Sequence, residues 1–178
     1  MNRYLSGLLF DLGDTIMDEG TEIKDAGGTT LAAELIPGIA DALRGFKAAG
    51  HRLALVADAR PDTPPNVLRQ HGLLDLFEVL AISEVVGAAA GGASIDKPDP
   101  RIFRAALDSL GIPECDYGRV VMVGNNLERD IVGANRLGLI SVFFHWNERR
   151  RTQPLTTDEA SCYTVTSVQE LVELVASM

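Results

Sequence analysis

Cysteine is nearly absent from this chain: Cys115 and Cys162 are the only two in 178 residues. They stand far apart and outside any Cys-x-x-Cys or Cys/His spacing, which excludes a disulfide scaffold and a thiolate zinc site. A reducing cytosol is the expected compartment. Histidine is as scarce, and His51, His71 and His145 cluster at no metal-ligand spacing. Long apolar runs are missing too. Asp, Glu, Arg or Gly interrupts every stretch well short of the ~20 residues that span a bilayer, so no membrane partner is expected. The first ten residues lack a separate apolar core with a cleavage site, and they read as a strand rather than a leader. Positive charge is also in deficit, with 16 Lys and Arg against 25 Asp and Glu and a net charge of -9. Such a surface repels a phosphate backbone at long range, which makes nucleic acid a poor partner.

What is present is ordinary for a packed protein: 46% hydrophobic and 23% charged residues, with 17 Gly and 8 Pro spread along the chain. The length suits one domain over 1–178. Leu8–Phe10, Leu53–Val56, Val120–Val123 and Ile140–Phe144 are short apolar runs that stop at small or polar residues, as strands buried on both faces do. Between them lie segments with helical spacing: Ile36–Ala49, Arg101–Leu110, Leu127–Leu137 and, last, Val168–Ala176. Gly50, Gly111 and Gly138 close the first three. Alternating strand and helix predicts an α/β fold, a three-layer, doubly wound, Rossmann-like parallel sheet with helices on both faces. Two stretches break the rhythm. A polar segment after the first strand predicts a flap over about 16–30, and the Ala/Gly run GAAAGGAS predicts a loop over about 87–95.

In an open parallel sheet, ligands bind beyond the carboxyl ends of the strands. There the chain places Asp11, Gly13 and Asp14 after the first run, Ala57 and Asp58 after the second, and Asn125 and Asn126 after the third. Asp130 follows one turn into the next helix, and Lys97 stands in the proline-flanked DKPDP. A strand-end carboxylate, a fixed lysine and further acids are the parts of a metal-assisted phosphoryl-transfer site. Without a cation, a carboxylate nucleophile near a phosphate meets repulsion of about 4 kcal/mol per charge pair at ~4 Å and an effective dielectric near 20.

Four blocks resemble, in order, the motifs of the haloacid dehalogenase-like hydrolase superfamily: FDLGDT, LALVAD, DKPDPRIF and VVMVGNNLERDIVGANRLGL. The linking phrase LIPGIADALRGFKAAGHRLALV is similar to the helix and strand that precede the second motif in these proteins. The resemblance runs from Leu8 to about Trp146. It implies a phosphate monoester hydrolase in which Asp11 is the nucleophile and forms an aspartyl-enzyme intermediate, with Lys97 stabilising Asp11 and the substrate. It further implies weakly held Mg2+ on Asp11, the backbone carbonyl of Gly13, Asn125 and Asp130, and a phosphate held near Ala57, Asp58 and Lys97. The substrate class so implied is a small phosphorylated metabolite or another phosphate monoester. No room exists for a cap domain, which resembles the capless members, whose site is open or covered by another subunit; a monomer or a homo-oligomer is expected.

The motifs also depart from the family pattern. The second aspartate of the first motif, which transfers protons, aligns with Gly13; Asp14 follows at once and either replaces it or serves the turn, the commoner use of Asp there. The hydroxyl of the second motif aligns with Ala57, and the first acid of the fourth with Asn125. Two other readings therefore stand beside the phosphatase: a weakened phosphate- or metal-binding regulatory protein, and a metal-independent dehalogenase-like hydrolase. The run Arg149–Arg151 is expected as solvated charge rather than a substrate contact. Asn125 and Asn126 are read either as site residues or as turn residues.

Overall fold

The apolar runs form strands that lie side by side. In the computed structural model, which describes residues 5–178, the elements in chain order are β1 (Gly7–Phe10), β2 (Ile23–Lys24), β3 (Thr30–Ala32), α1 (Ile39–Ala48), β4 (Leu53–Ala57), α2 (Thr63–Gln70), β5 (Phe77–Ile82), α3 (Ser83–Ala89), α4 (Pro100–Ser109), β6 (Val120–Gly124), α5 (Val132–Leu137), β7 (Ile140–Phe144), β8 (Tyr163–Val165) and α6 (Val168–Ser177). Six strands make one parallel sheet in the order β5-β4-β1-β6-β7-β8. The chain builds outward from β1 to one edge, then returns and builds to the other. The winding direction thus reverses at β1, which is where an open α/β sheet leaves a crevice beyond its carboxyl ends.

Neighbouring residues on each strand point to opposite faces, and both faces are covered. Leu8 and Phe10 join Leu55, Val123 and Phe144 under α1, α2 and α6, which contribute Leu43, Phe46, Leu68 and Leu171. On the other face Leu9, Val56 and Met122 meet Ile102, Phe103 and Ala106 of α4 and Ala134 of α5. Each such Leu, Ile or Phe, fully withdrawn from water, contributes roughly 1.5–3 kcal/mol of burial free energy. This is the expected three-layer α/β architecture. Among the described residues no helix is long and apolar enough to cross a membrane.

Four expectations need correction. The sheet has two more strands than the apolar runs announce, β5 and β8, at its edges. The segment after β1 is more ordered than a loop: Ile16 and Met17 are buried in the core, and β2 and β3 pair as an antiparallel hairpin. That hairpin is docked on α2, where Thr30 donates its amide to the Thr63 hydroxyl at 3.1 Å and Asn66 donates to the Thr30 carbonyl at 3.1 Å. The Ala/Gly run is only partly a loop, because Gly87–Ala89 complete α3. Finally, the segment 127–137 is not one α-helix. It opens with a π-helical turn, Leu127–Ile131, before α5 begins.

Candidate active site

The carboxyl ends of β1, β4, β5 and β6 border an open cleft of about 520 Å³. Asp11, Gly13, Ala57, Asp58, Lys97, Asn125, Asn126 and Asp130 all line it, so the residues singled out at the strand ends meet in one place. Asp14 is absent from that lining.

Lys97 is the centre of the arrangement. Its side chain is only 2% exposed, and its ammonium donates to Asp11 Oδ1 at 2.6 Å, Asp130 Oδ1 at 2.7 Å and the Val56 carbonyl at 2.9 Å. Three donors therefore meet three oxygens. Burial works against the charged lysine, but Asp11, Asp130 and Asp58 together outweigh it and hold its pKa above the ordinary value. Asp130 feels the other side of this imbalance. Burial, reinforced by Asp11, pushes its carboxyl up to about 7 against the pull of Lys97. One ammonium shared among three carboxylates leaves surplus negative charge in a poorly solvated place, which favours a further cation or a proton.

Local structure explains why Asp130 arrives here. The Asn126 side chain caps the π-helical turn by accepting from the amides of Glu128 and Arg129 at 3.0 and 3.2 Å. The Asn126 amide in turn donates to Asp130 Oδ2 at 3.0 Å. Gly124 permits the close approach: a Cβ there would run into the Asp130 carboxyl. Both asparagines border the cleft; Asn126 also serves the turn, and Asn125 is 6% exposed.

Asp58 has both oxygens engaged, Oδ1 by the Lys97 amide at 2.8 Å and Oδ2 by Arg129 at 3.1 Å. Burial raises its pKa, with Lys97 opposing. Thr15 donates its hydroxyl to Asp11 Oδ2 at 3.4 Å. Among the described residues no three His, Cys, Asp or Glu side chains gather to hold a metal. A cation at this point would rest on the carboxylates of Asp11 and Asp130 with the neutral oxygens of Asn125 and Gly13. That all-oxygen, two-carboxylate set suits Mg2+, which keeps several of its waters.

Asp14 serves its turn. It is fully buried with φ at 49°, Oδ1 accepts the Glu19 amide at 3.1 Å, and the same oxygen pairs with Arg149 at 2.5 Å. Asp14 does not line the cleft, and its carboxyl is held by the loop amide and the arginine instead. The arginine run corrects a second expectation, since it is paired rather than free in solvent. Arg149 bridges Asp14 and Asp18, Arg150 binds both carboxylate oxygens of Glu19 at 2.9 Å, and Arg151 joins Glu128 to Glu159.

Glu19 and Ser83 line the same cleft and were not singled out in the sequence, and Arg150, expected as solvated charge, lines it too. Burial raises the Glu19 pKa; Arg150 opposes the shift, while Asp14 and Asp11 add to it. The one sequence signal for Glu19 was charge complementarity between DEGTE after the first motif and the distant ERRR.

Residues 3–138 match the family model for haloacid dehalogenase-like hydrolases. The pyrimidine 5'-nucleotidase YjjG of Escherichia coli is 37% identical over 107 residues, which is 60% of this chain and 42% of that protein. The glyceraldehyde 3-phosphate phosphatase of Pyrococcus furiosus is 29% identical over 140 residues, covering 78% of this chain and 53% of that one. The chain thus spans about half the length of these curated relatives. Among solved structures, a phosphatase of the same superfamily from Thermococcus onnurineus superposes with a TM-score of 0.66 at 25% identity, covering 80% of this chain and 59% of the other. With the family model spanning most of its length, the chain belongs to the haloacid dehalogenase-like hydrolases.

Proposed function

We propose that this protein hydrolyses a small phosphate monoester through an aspartyl-phosphate on Asp11. The observation that carries the reading is the buried Lys97 ammonium, held at 2.6 Å from Asp11 and 2.7 Å from Asp130 at the floor of an open, charged cleft. Asp11 attacks phosphorus while Lys97 offsets the charge of nucleophile and phosphate. Asp130, itself held by Asn126, keeps the lysine in place. Asp11, the Gly13 carbonyl, Asn125 and Asp130 would hold Mg2+, which when bound neutralises phosphate oxygens and orients them for in-line displacement. The names of the relatives, a nucleotidase and a phosphatase, support phosphorylated small molecules as the substrate class. The cleft is open, which argues against a dehalogenase, whose small substrate needs an enclosed pocket.

The test is inorganic phosphate release from a panel of phosphate monoesters, with magnesium and with chelator, by the natural protein and Asp11→Asn. Turnover should require both Asp11 and the metal. Phosphate or magnesium binding without Asp11-dependent release would replace the enzyme with a binding protein.

A further inference from the structure

Hydrolysis through a phosphorylated aspartate needs a proton at two moments. The leaving oxygen takes one as its bond to phosphorus breaks, and the attacking water gives one up as the second bond forms. A group that serves both steps must border the cleft beside Asp11 and keep a substantial part of its side chain accessible there. The carboxylates around the cleft can be sorted on that basis. Asp130 is 1% exposed and bound to Lys97 and the Asn126 amide. Asp58 is 12% exposed and is clamped between two elements, by the Lys97 amide and by Arg129. Glu22 is held by the Thr30 hydroxyl at 2.6 Å and by Lys24 at 2.9 Å. Glu84 and Asp96 stand exposed at the rim. Asp14 turns into the protein.

Glu19 remains, and its position is specific. A Cβ built on Gly13 would collide with the Glu19 carboxylate oxygen and come within 2.9 Å of its Cδ and 3.0 Å of its Cγ. The Glu19 side chain therefore fills the volume that a side chain at position 13, two residues past Asp11, would occupy. Gly13 is not in the left-handed region, so its backbone does not require glycine. Glu19 does. It is fixed from both ends, its amide donating to Asp14 Oδ1 at 3.1 Å and both carboxylate oxygens accepting from the single Arg150 at 2.9 Å, yet it lines the cleft and about a third of its side chain stays exposed.

We propose that Glu19 is the proton-transferring carboxyl of this site, supplied from a loop in place of the absent side chain at position 13. This rests on the phosphatase reading above. In the first half, an Asp11 oxygen bonds to phosphorus, the bond from phosphorus to the leaving oxygen breaks, and that oxygen takes the Glu19 proton to leave as an alcohol. In the second half, water bonds to phosphorus and its proton returns to Glu19. The bond from phosphorus to Asp11 breaks, releasing inorganic phosphate and restoring both carboxyl groups.

The experiment compares the natural protein, Asp11→Asn, Glu19→Gln, Gly13→Asp and the double variant Gly13→Asp with Glu19→Ala, using an alkyl phosphate and p-nitrophenyl phosphate. Thermal melts confirm that each is folded. Glu19→Gln should lose roughly 100-fold or more in kcat on the alkyl ester, the usual reach of general acid-base catalysis. Phosphoryl transfer from the nitrophenyl ester, whose leaving group needs no proton, should fall far less. Rapid quench should then show a burst of nitrophenol and accumulated phosphorylated protein, because the water step has lost its base. The double variant should recover alkyl ester turnover, since it returns a carboxylate to the vacated space, whereas Gly13→Asp alone sets two carboxylates against each other. Glu19→Gln with natural rates on both esters would refute Glu19 while leaving the phosphatase intact. No Asp11-dependent release from the natural protein would overturn the phosphatase and Glu19 with it.

Discussion

Replacing Lys97 with methionine removes one charge from a place where three carboxylates depend on it. Asp130, already pushed up to about 7 against the pull of Lys97, then has only the Asn126 amide to support its charge at 1% exposure and must stay desolvated or take up a proton, and the Val56 carbonyl loses its 2.9 Å donor. Removing one partner of a buried ion pair costs about 3–5 kcal/mol, because the remaining group is left without its counter-charge in a desolvated place. For a chain of this length, where 1 kcal/mol shifts the melting temperature by roughly 2–4 °C, Lys97→Met should melt about 6–20 °C below the natural protein. The informative measurement is a double-mutant cycle with Asp130→Asn, by urea unfolding in chelator so that no divalent cation compensates. The double variant leaves neither charge stranded, and it should be more stable than the sum of the single losses predicts by about 1–3 kcal/mol. Losses that add to within about 0.5 kcal/mol would refute the claim that Asp130 and Lys97 hold each other in place.

Two further predictions use other parts of the structure. Glu159 accepts from Arg151 and the Leu155 amide, both at 2.6 Å, and these bonds hold its pKa down at about 2. A carboxyl depressed by folding stabilises above its unfolded pKa of 4.5, and the benefit fades as pH falls from there towards 2. The stability margin of the natural protein over Glu159→Gln should therefore be level near neutrality and vanish across that window in a pH series of melts; a margin unchanged at pH 2 would contradict this. Asn125→Asp should lower the magnesium concentration for half-maximal phosphate release by at least about fivefold, since one added charge at ~4 Å contributes about 1 kcal/mol even with water-like screening. An unchanged magnesium requirement would remove Asn125 from the metal.

Much of the fold could be read from the sequence because four central strands are buried on both faces and so appear as unbroken apolar runs. The edge strands escaped that signal. β5 carries exposed Glu78 within FEVLAI, and β8 is three residues long with two of them exposed. The π-helical turn escaped as well, since Leu127, Ile131 and Ala134 repeat as they would in an α-helix while the backbone shift that turns Asp130 toward Gly124 leaves no mark on the pattern. Asp11, Ala57, Asp58 and Asn125 were legible as a group for a topological reason: each follows an apolar run, and parallel strands deliver their carboxyl ends to one edge of the sheet.

The sequence by itself determined the α/β class, the strand ends that meet and the lysine among them, because burial periodicity and the rules of parallel connection leave few alternatives. It also exposed a gap at Gly13 without showing what fills it, and the neighbouring Asp14 was the natural candidate. Only the tertiary structure decided that Asp14 turns inward to Arg149 while Glu19 reaches the cleft beside Asp11. That outcome depends on Arg150, 131 positions away in the chain, coming back over the first loop to bind Glu19. Pairing between distant loops follows from how the strands are ordered in space, and no local spacing encodes it.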